Sequence, residues 1–246
     1  MTENALPSQD PADDGSLAGV LRATFKKMMQ TVDGMLPARV IAYDRASNTA
    51  TVQPMIQIVS TSGERVSRAP LASVPVLALG GGGFALNFPL KPGNMGWIEA
   101  SDRDISLYMQ GAQAESAPNT QRMHTFSDGR FIPDVFGGYT LSGDDDQDAD
   151  MVIQTLDGST RIVLTPDSIK IIAAKNVTIE AAEKLDLTAG QAITLNAPQI
   201  GATSSGGATI TGPVNINGTT TIQGREFISH VHTGVQPGSG NTGGVK

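Results

Sequence analysis

The chain has 246 residues and a formal net charge of −7, with charged residues at 17% and aromatic residues at 4%. Low charge is unlike a disordered chain, which stays solvated through its charge. Scarce aromatics are unlike a thick globular core, where rings supply much of the buried area. The acidic balance argues against a basic surface for nucleic acid or anionic lipid, and a cysteine count of zero excludes disulfides and thiolate metal sites.

Residues 1–15, MTENALPSQDPADDG, read as a flexible tail that is acidic and polar, the opposite of a signal peptide. No apolar run approaches the roughly 20 residues of a membrane-spanning helix. Residues 16–36 predict a helix, because Leu17, Val20, Leu21, Thr24, Phe25, Met28, Met29 and Val32 recur at helical spacing. Asp14 or Ser16 can cap its start, and Gly34 with Pro37 ends it. The expectation is a helix packed on its own domain, with a subunit or partner contact as the alternative.

Residues 37–111 predict a small β-barrel of the oligonucleotide/oligosaccharide-binding (OB) type. Ala38–Tyr43 and Thr49–Ile58 flank a turn at Asp44–Asn48, and Val74–Leu79, Gly83–Phe88, Met95–Ala100 and Ile105–Tyr108 are further strand candidates. The segment lacks the stacking aromatics interleaved with basic residues that single-strand binders use. The glycine run Gly80–Gly83 lacks the Lys-Ser/Thr of a phosphate loop and reads as a strand connection. Residues 112–150 read as a connector. Its acidic run, Asp144, Asp145, Asp146, Asp148 and Asp150, lacks the Gly and Glu spacing of a calcium-binding EF-hand loop, so a solvated loop is favoured over a cation site. His124 reads as a surface or packing residue.

From Met151 the composition changes. Not one aromatic residue lies between Thr140 and Glu226, and not one charged residue between Leu187 and Gly224. Short apolar–polar–apolar pieces start at Ile169, Val177, Leu185 and Ile193, eight residues apart, and later at Ala208, Val214 and Thr220, six apart. Each piece has the period of a strand with one buried face, and Gly, Asn, Pro and Ser between pieces make corners. A fixed period of this kind indicates a β-helix or solenoid. A strand with two inward aliphatics buries too little surface, at about 25 cal/mol per Å², to offset its ordering entropy. The chain must coil on itself or wind around identical chains. Residues 151–229 are therefore expected to form a narrow shaft of three intertwined chains. The competing architecture is a single-chain left-handed β-helix of the hexapeptide acyltransferase type, disfavoured by the eight-residue period and by the lack of a His in the coils.

Residues 230–246 form the expected apex. His230 and His232 stand at i and i+2, which on a strand puts both imidazoles on one side, about 7 Å apart. Neutral imidazole is a common metal ligand. Three chains around an axis would offer six such nitrogens, a set that suits octahedral Fe²⁺, with Co²⁺ or Ni²⁺ as substitutes, better than tetrahedral zinc.

These features resemble a known family. The tail SHVHTGVQPGSGNTGGV, the segment Pro89–Tyr108 (PLKPGNMGWIEASDRDISLY) and the segment Arg122–Asp134 (RMHTFSDGRFIPD) look like the central baseplate spike of contractile-tailed bacteriophages, the membrane-puncturing tail-tip protein. Asn94 departs from the Asp expected after Gly93 and alters a turn. The resemblance implies a mainly β homotrimer with one iron ion per trimer, held by His230 and His232 of three chains. It implies barrels docked on the tail hub, a location in the virion at the baseplate tip, synthesis in the host cytoplasm, and a shaft driven mechanically through the host outer membrane. It implies no catalysis, no small-molecule substrate and no nucleic-acid partner. Ser159, Ser168 and Ser229 carry no nucleophile motif, and wall hydrolysis would need an acid–base pair in a cleft. The alternative function is a trimeric tail fibre or adhesin that binds a host receptor, which should end in a larger, aromatic-bearing head.

Overall fold

A computed structural model describes residues 15–60, 63–111, 114–138, 150–227 and 238. The chain divides at Thr178/Ile179 into two units.

The first unit opens with α1 (Leu17–Met29), capped by the Ser16 side chain, which accepts the Gly19 N–H at 3.0 Å. Lys26 and Lys27 lie in its last turn, where cations favour the helix dipole. The helix stops at Met29, short of the expected end, because the barrel captures the next residues. Asp33 N–H donates to the His124 carbonyl at 2.9 Å, and the Asp33 carboxylate accepts from Arg68 and from Phe126 N–H. Ala100 N–H then binds the Gly34 carbonyl, and Met35 already belongs to a strand. The expectation of a helix packed on its own domain is also corrected. Leu17, Val20, Leu21, Phe25, Met28 and Met29 are all exposed, and only Gly19 of α1 is buried.

A five-stranded sheet follows, in the order β5 (Leu71–Pro75), β2 (Thr49–Pro54), β1 (Met35–Asp44), β8 (Met95–Ser101), β9 (Thr125–Pro133). All its ladders are antiparallel. The sheet nearly closes into a barrel, since Val76 bridges Phe131 in parallel and Leu77 N–H donates to the Phe131 carbonyl at 2.8 Å. Strict alternation in β2 buries Ala50, Val52 and Pro54, and with Ala38, Val40, Val74, Val76, Ile98, Phe126 and Phe131 they line the interior. Phe131 fits because Gly96 lies under its ring. A Cβ on Gly96 would overlap that ring and the Ile132 carbonyl. The expected turn at Asp44–Asn48 forms, with the Asp44 carboxylate taking Ala46 N–H and Ser47 Oγ, and Asn48 at φ +51°.

Two expectations fail here. Ile105–Tyr108 is not a strand, because Ser106–Gln110 is a one-turn helix, α2. Asp104 accepts the Ser106 N–H at 2.9 Å and turns the chain, and four residues carry no period strong enough to oppose it. Residues 125–133, expected in a connector, supply β9. Their alternation is masked because Asp128 occupies an inward position, buried against Arg122. Two hairpins stand off the barrel: β3 (Ile58–Val59) with β4 (Arg65–Val66), and β6 (Leu79–Gly81) with β7 (Phe84–Leu86). The second carries Phe84 at 84% exposure.

Beyond the barrel, β10 (Met151–Gln154), β11 (Arg161–Leu164) and β12 (Ile169–Ile172) pair in one chain as an antiparallel meander, which was expected to start the shaft. Asp157 organises the first turn by accepting from Thr155 and Ser159, and the second turn pairs Thr165 with Ser168. Ser159 and Ser168 are thereby turn residues.

In the second unit the described residues form one ladder, β13 (Thr221–Ile222) with β14 (Arg225–Glu226). Gln223 (φ +51°) and Gly224 (φ +76°) both lie in the left-handed region, the type I′ geometry that suits a two-residue hairpin. Phe227 N–H extends it to the Thr220 carbonyl at 2.7 Å. The piece Thr220–Ile222, expected as a step of the shaft repeat, thus turns back on its successor. Between Val177 and Gly218, no strand is formed among the described residues, and the repeat aliphatics face outward, with Ile179 at 65%, Leu187 at 65% and Leu195 at 67% exposure.

Candidate functional site

Two regions of the chain carry features that can serve a function: the segment leading to His230 and His232, and the barrel with its attached helix. His230, His232 and Ser229 lie outside the described residues, as do Asp144, Asp145, Asp146 and Asp148. The described chain reaches them through the β13–β14 hairpin, which brings Phe227 beside Thr220 and leaves its ring exposed. The donor set at this end is all imidazole, with cysteine at zero in the whole chain. Two imidazoles, in their neutral form, fit a metal of intermediate softness but are fewer than the ligands such an ion takes. Among the described residues no group of three or more His, Asp or Glu side chains could hold a metal ion.

The polar cluster of the barrel is structural in character. Asp104 and Asp128, both buried, share Arg122 at 3.2 and 3.0 Å. Hydrogen bonds from Ser106 and Thr120, with the Arg122 charge behind them, hold the Asp104 carboxyl far below the usual carboxylate range. Asp128 holds the Arg122 guanidinium protonated more firmly still. The cluster ties the segment after β8 to β9. Sequence reasoning missed it, although Asp104, Arg122 and Asp128 were visible as charges in stretches otherwise suited to a buried sheet. His124, at φ +46°, meets Asp102 at 3.0 Å and gives its carbonyl to Asp33, as a surface and packing residue would. At the barrel's exit Trp97 Nε1 donates to Asp134 at 2.7 Å, and its ring meets Phe136 with centroids 4.9 Å apart. The Trp97 hydrogen bond, followed by that from Phe136 N–H, lowers the Asp134 carboxyl below its ordinary range.

The registers fix the direction of the chain through the barrel. Met35, where α1 joins, lies opposite Glu99, which lies opposite Arg130, so β1 begins level with the second half of β9. β9 then runs away from that entry toward Pro133, opposite Gly96 and hence beside Ala38. β1 and β9, both antiparallel to β8, therefore run in the same sense.

Comparison with known proteins agrees with this division. Residues 36–134 match the family described as the phage protein Gp138 N-terminal domain, and residues 227–244 match the GpV apex motif. No curated protein matches the chain. The first match spans β1 to β9, so the barrel includes the strand that the sequence had hidden in a connector. The second contains His230 and His232. Both families are those of phage tail spikes and baseplate central spikes, and together they support a phage spike protein. Such domains point to a structural protein of the phage tail. Among the described residues no helix is long and apolar enough to cross a membrane.

Proposed function

We propose that the chain is the puncturing spike of a contractile phage tail: a homotrimer whose three shafts intertwine, whose apex is held by one Fe²⁺ bound to His230 and His232 of each chain, and which is driven through the host outer membrane without catalysis. The observation that carries this reading is the repeat between Val177 and Gly218. Its aliphatics alternate with polar residues, yet they are exposed, and no ladder forms among the described residues. Alternation without a core is the pattern of strands whose partners lie on other chains. A single-chain β-helix would stack its own coils, so the isolated acyltransferase-like architecture loses support.

The strand order of the barrel supports the OB reading. A five-stranded, partly open Greek-key barrel is the form that fold takes, and here five strands nearly close through the parallel bridge of Val76 to Phe131. The iron would serve as a clamp: six neutral imidazoles would fill an octahedral shell and join three chain ends where fraying starts. The shaft's own residues fit passage through a bilayer. From Leu187 to Gly224 the chain presents no charge, and each charge at the bilayer centre would cost about 2.5–3.5 kcal/mol or more. Intertwined strands also leave few open edges. The N-terminal part would dock on the hub. The adhesin reading predicts an aromatic-bearing head.

Native mass measurement with metal analysis of the same sample tests the proposal. A trimer with one iron, or an octahedral substitute, supports it. A monomer, or a trimer without metal, overturns the corresponding half.

A further inference from the structure

The helix α1 precedes the residues matched to the phage barrel family, which begin at residue 36, and its role follows from neither match. It has 13 residues and includes Gly19 and Thr24, and helices of this length are marginal in water without a packed face. Its apolar side chains, Leu17, Val20, Leu21, Phe25, Met28 and Met29, are exposed, with Phe25 at 66%. At helical spacing they spread over roughly half the circumference. Leu17, Leu21, Thr24 and Met28 run down the middle at steps of four, three and four, the spacing of a coiled-coil seam. A seam flanked on both sides by Val20 and by Phe25 with Met29 is too wide for one neighbouring helix and fits two. Arg22, Lys26 and Lys27 lie off the middle of this stripe, so like charges are kept from the seam.

What covers the stripe is narrowed by the chain itself. The barrel does not cover it, and the joint is short: α1 ends at Met29, and Asp33 is already fastened to Arg68, Phe126 and His124. Any arrangement that gathers three barrels around an axis thus gathers three α1 helices within a few residues of them.

We propose that α1 packs in parallel with the α1 helices of two other copies of this chain, as a three-helix bundle. The proposal rests on the trimeric reading above. The chain has no cysteine, so a single thiol reports one position without background. Thr24→Cys, nearly isosteric, sits in the middle of the stripe, and Ala23→Cys sits on the far side. Each full-length variant is treated with a short bismaleimide, run on a denaturing gel, and weighed in its native state by light scattering. The bundle predicts efficient covalent dimers from Thr24→Cys, at least tenfold more than from Ala23→Cys, with native mass unchanged. A native trimer in which Thr24→Cys does not cross-link, or cross-links no better than Ala23→Cys, overturns the bundle and leaves the trimer standing. A native monomer for both variants overturns the trimeric reading itself.

Discussion

Leu187→Ala separates the two environments open to the shaft. In one chain the Leu187 side chain is 65% exposed, and removing it should change stability by no more than about 0.5 kcal/mol. In an intertwined trimer the same side chain points to the shared axis. A buried Leu→Ala costs about 2–5 kcal/mol per site, and the mutation strikes three chains at one level, so the loss is roughly 6–15 kcal/mol per trimer. Little of it can be relieved, because a core that admits only small aliphatics has no ring to swing into the cavity. The neighbouring Thr188→Ala, on the opposite parity, should be nearly neutral and serves as the control. Guanidinium unfolding followed by circular dichroism, at fixed protein concentration, reads both. A Leu187→Ala midpoint and unfolding rate equal to those of Thr188→Ala would refute the buried-axis reasoning.

Further outcomes follow from the barrel and the apex. Gly96→Ala should destabilise the barrel by about 1–3 kcal/mol through overpacking against the enclosed Phe131, read by urea denaturation; an unchanged midpoint would contradict the close contact. Asp104 has a lowered carboxyl pKa in the folded state, so its contribution is present above the ordinary carboxylate value of about 4 and is lost as pH falls through and below it. Asp104→Asn should therefore lower stability at neutral pH and flatten the acid limb of the melting temperature plotted against pH; an acid limb as steep as the parent's would count against that role. Replacing His230 and His232 by Ala should remove bound metal while the trimer persists with a more protease-sensitive end, as checked by metal analysis and limited proteolysis. Retention of iron would assign it to other ligands.

The parts of the fold legible in the sequence were those with uninterrupted periods. Thr49–Pro54 alternates cleanly, it and Met95–Ser101 are strands of the barrel, and Ser16 caps α1 as its position suggests. The sequence misled where a polar residue stood inside or a local hydrogen bond competed. Asp128 concealed β9 because its partner Arg122 is invisible to a hydropathy pattern. Asp104 converted Ile105–Tyr108 from an apparent strand into a helical turn. The helix was read two turns too long because Val32 continues the apolar spacing, whereas the Asp33 contacts that stop it come from residues more than thirty positions away. The shaft stands as a reading of the sequence: the alternation between Val177 and Gly218 is intact, and no strand forms there among the described residues. His230 and His232 were singled out by their spacing, and both lie within residues 227–244, which match the apex motif.

The central claim is that three chains share one shaft. Light scattering of the purified full-length protein in native buffer tests it most directly. The account predicts three times the 25.6 kDa of one chain, unchanged on dilution. A mass of one chain would contradict it.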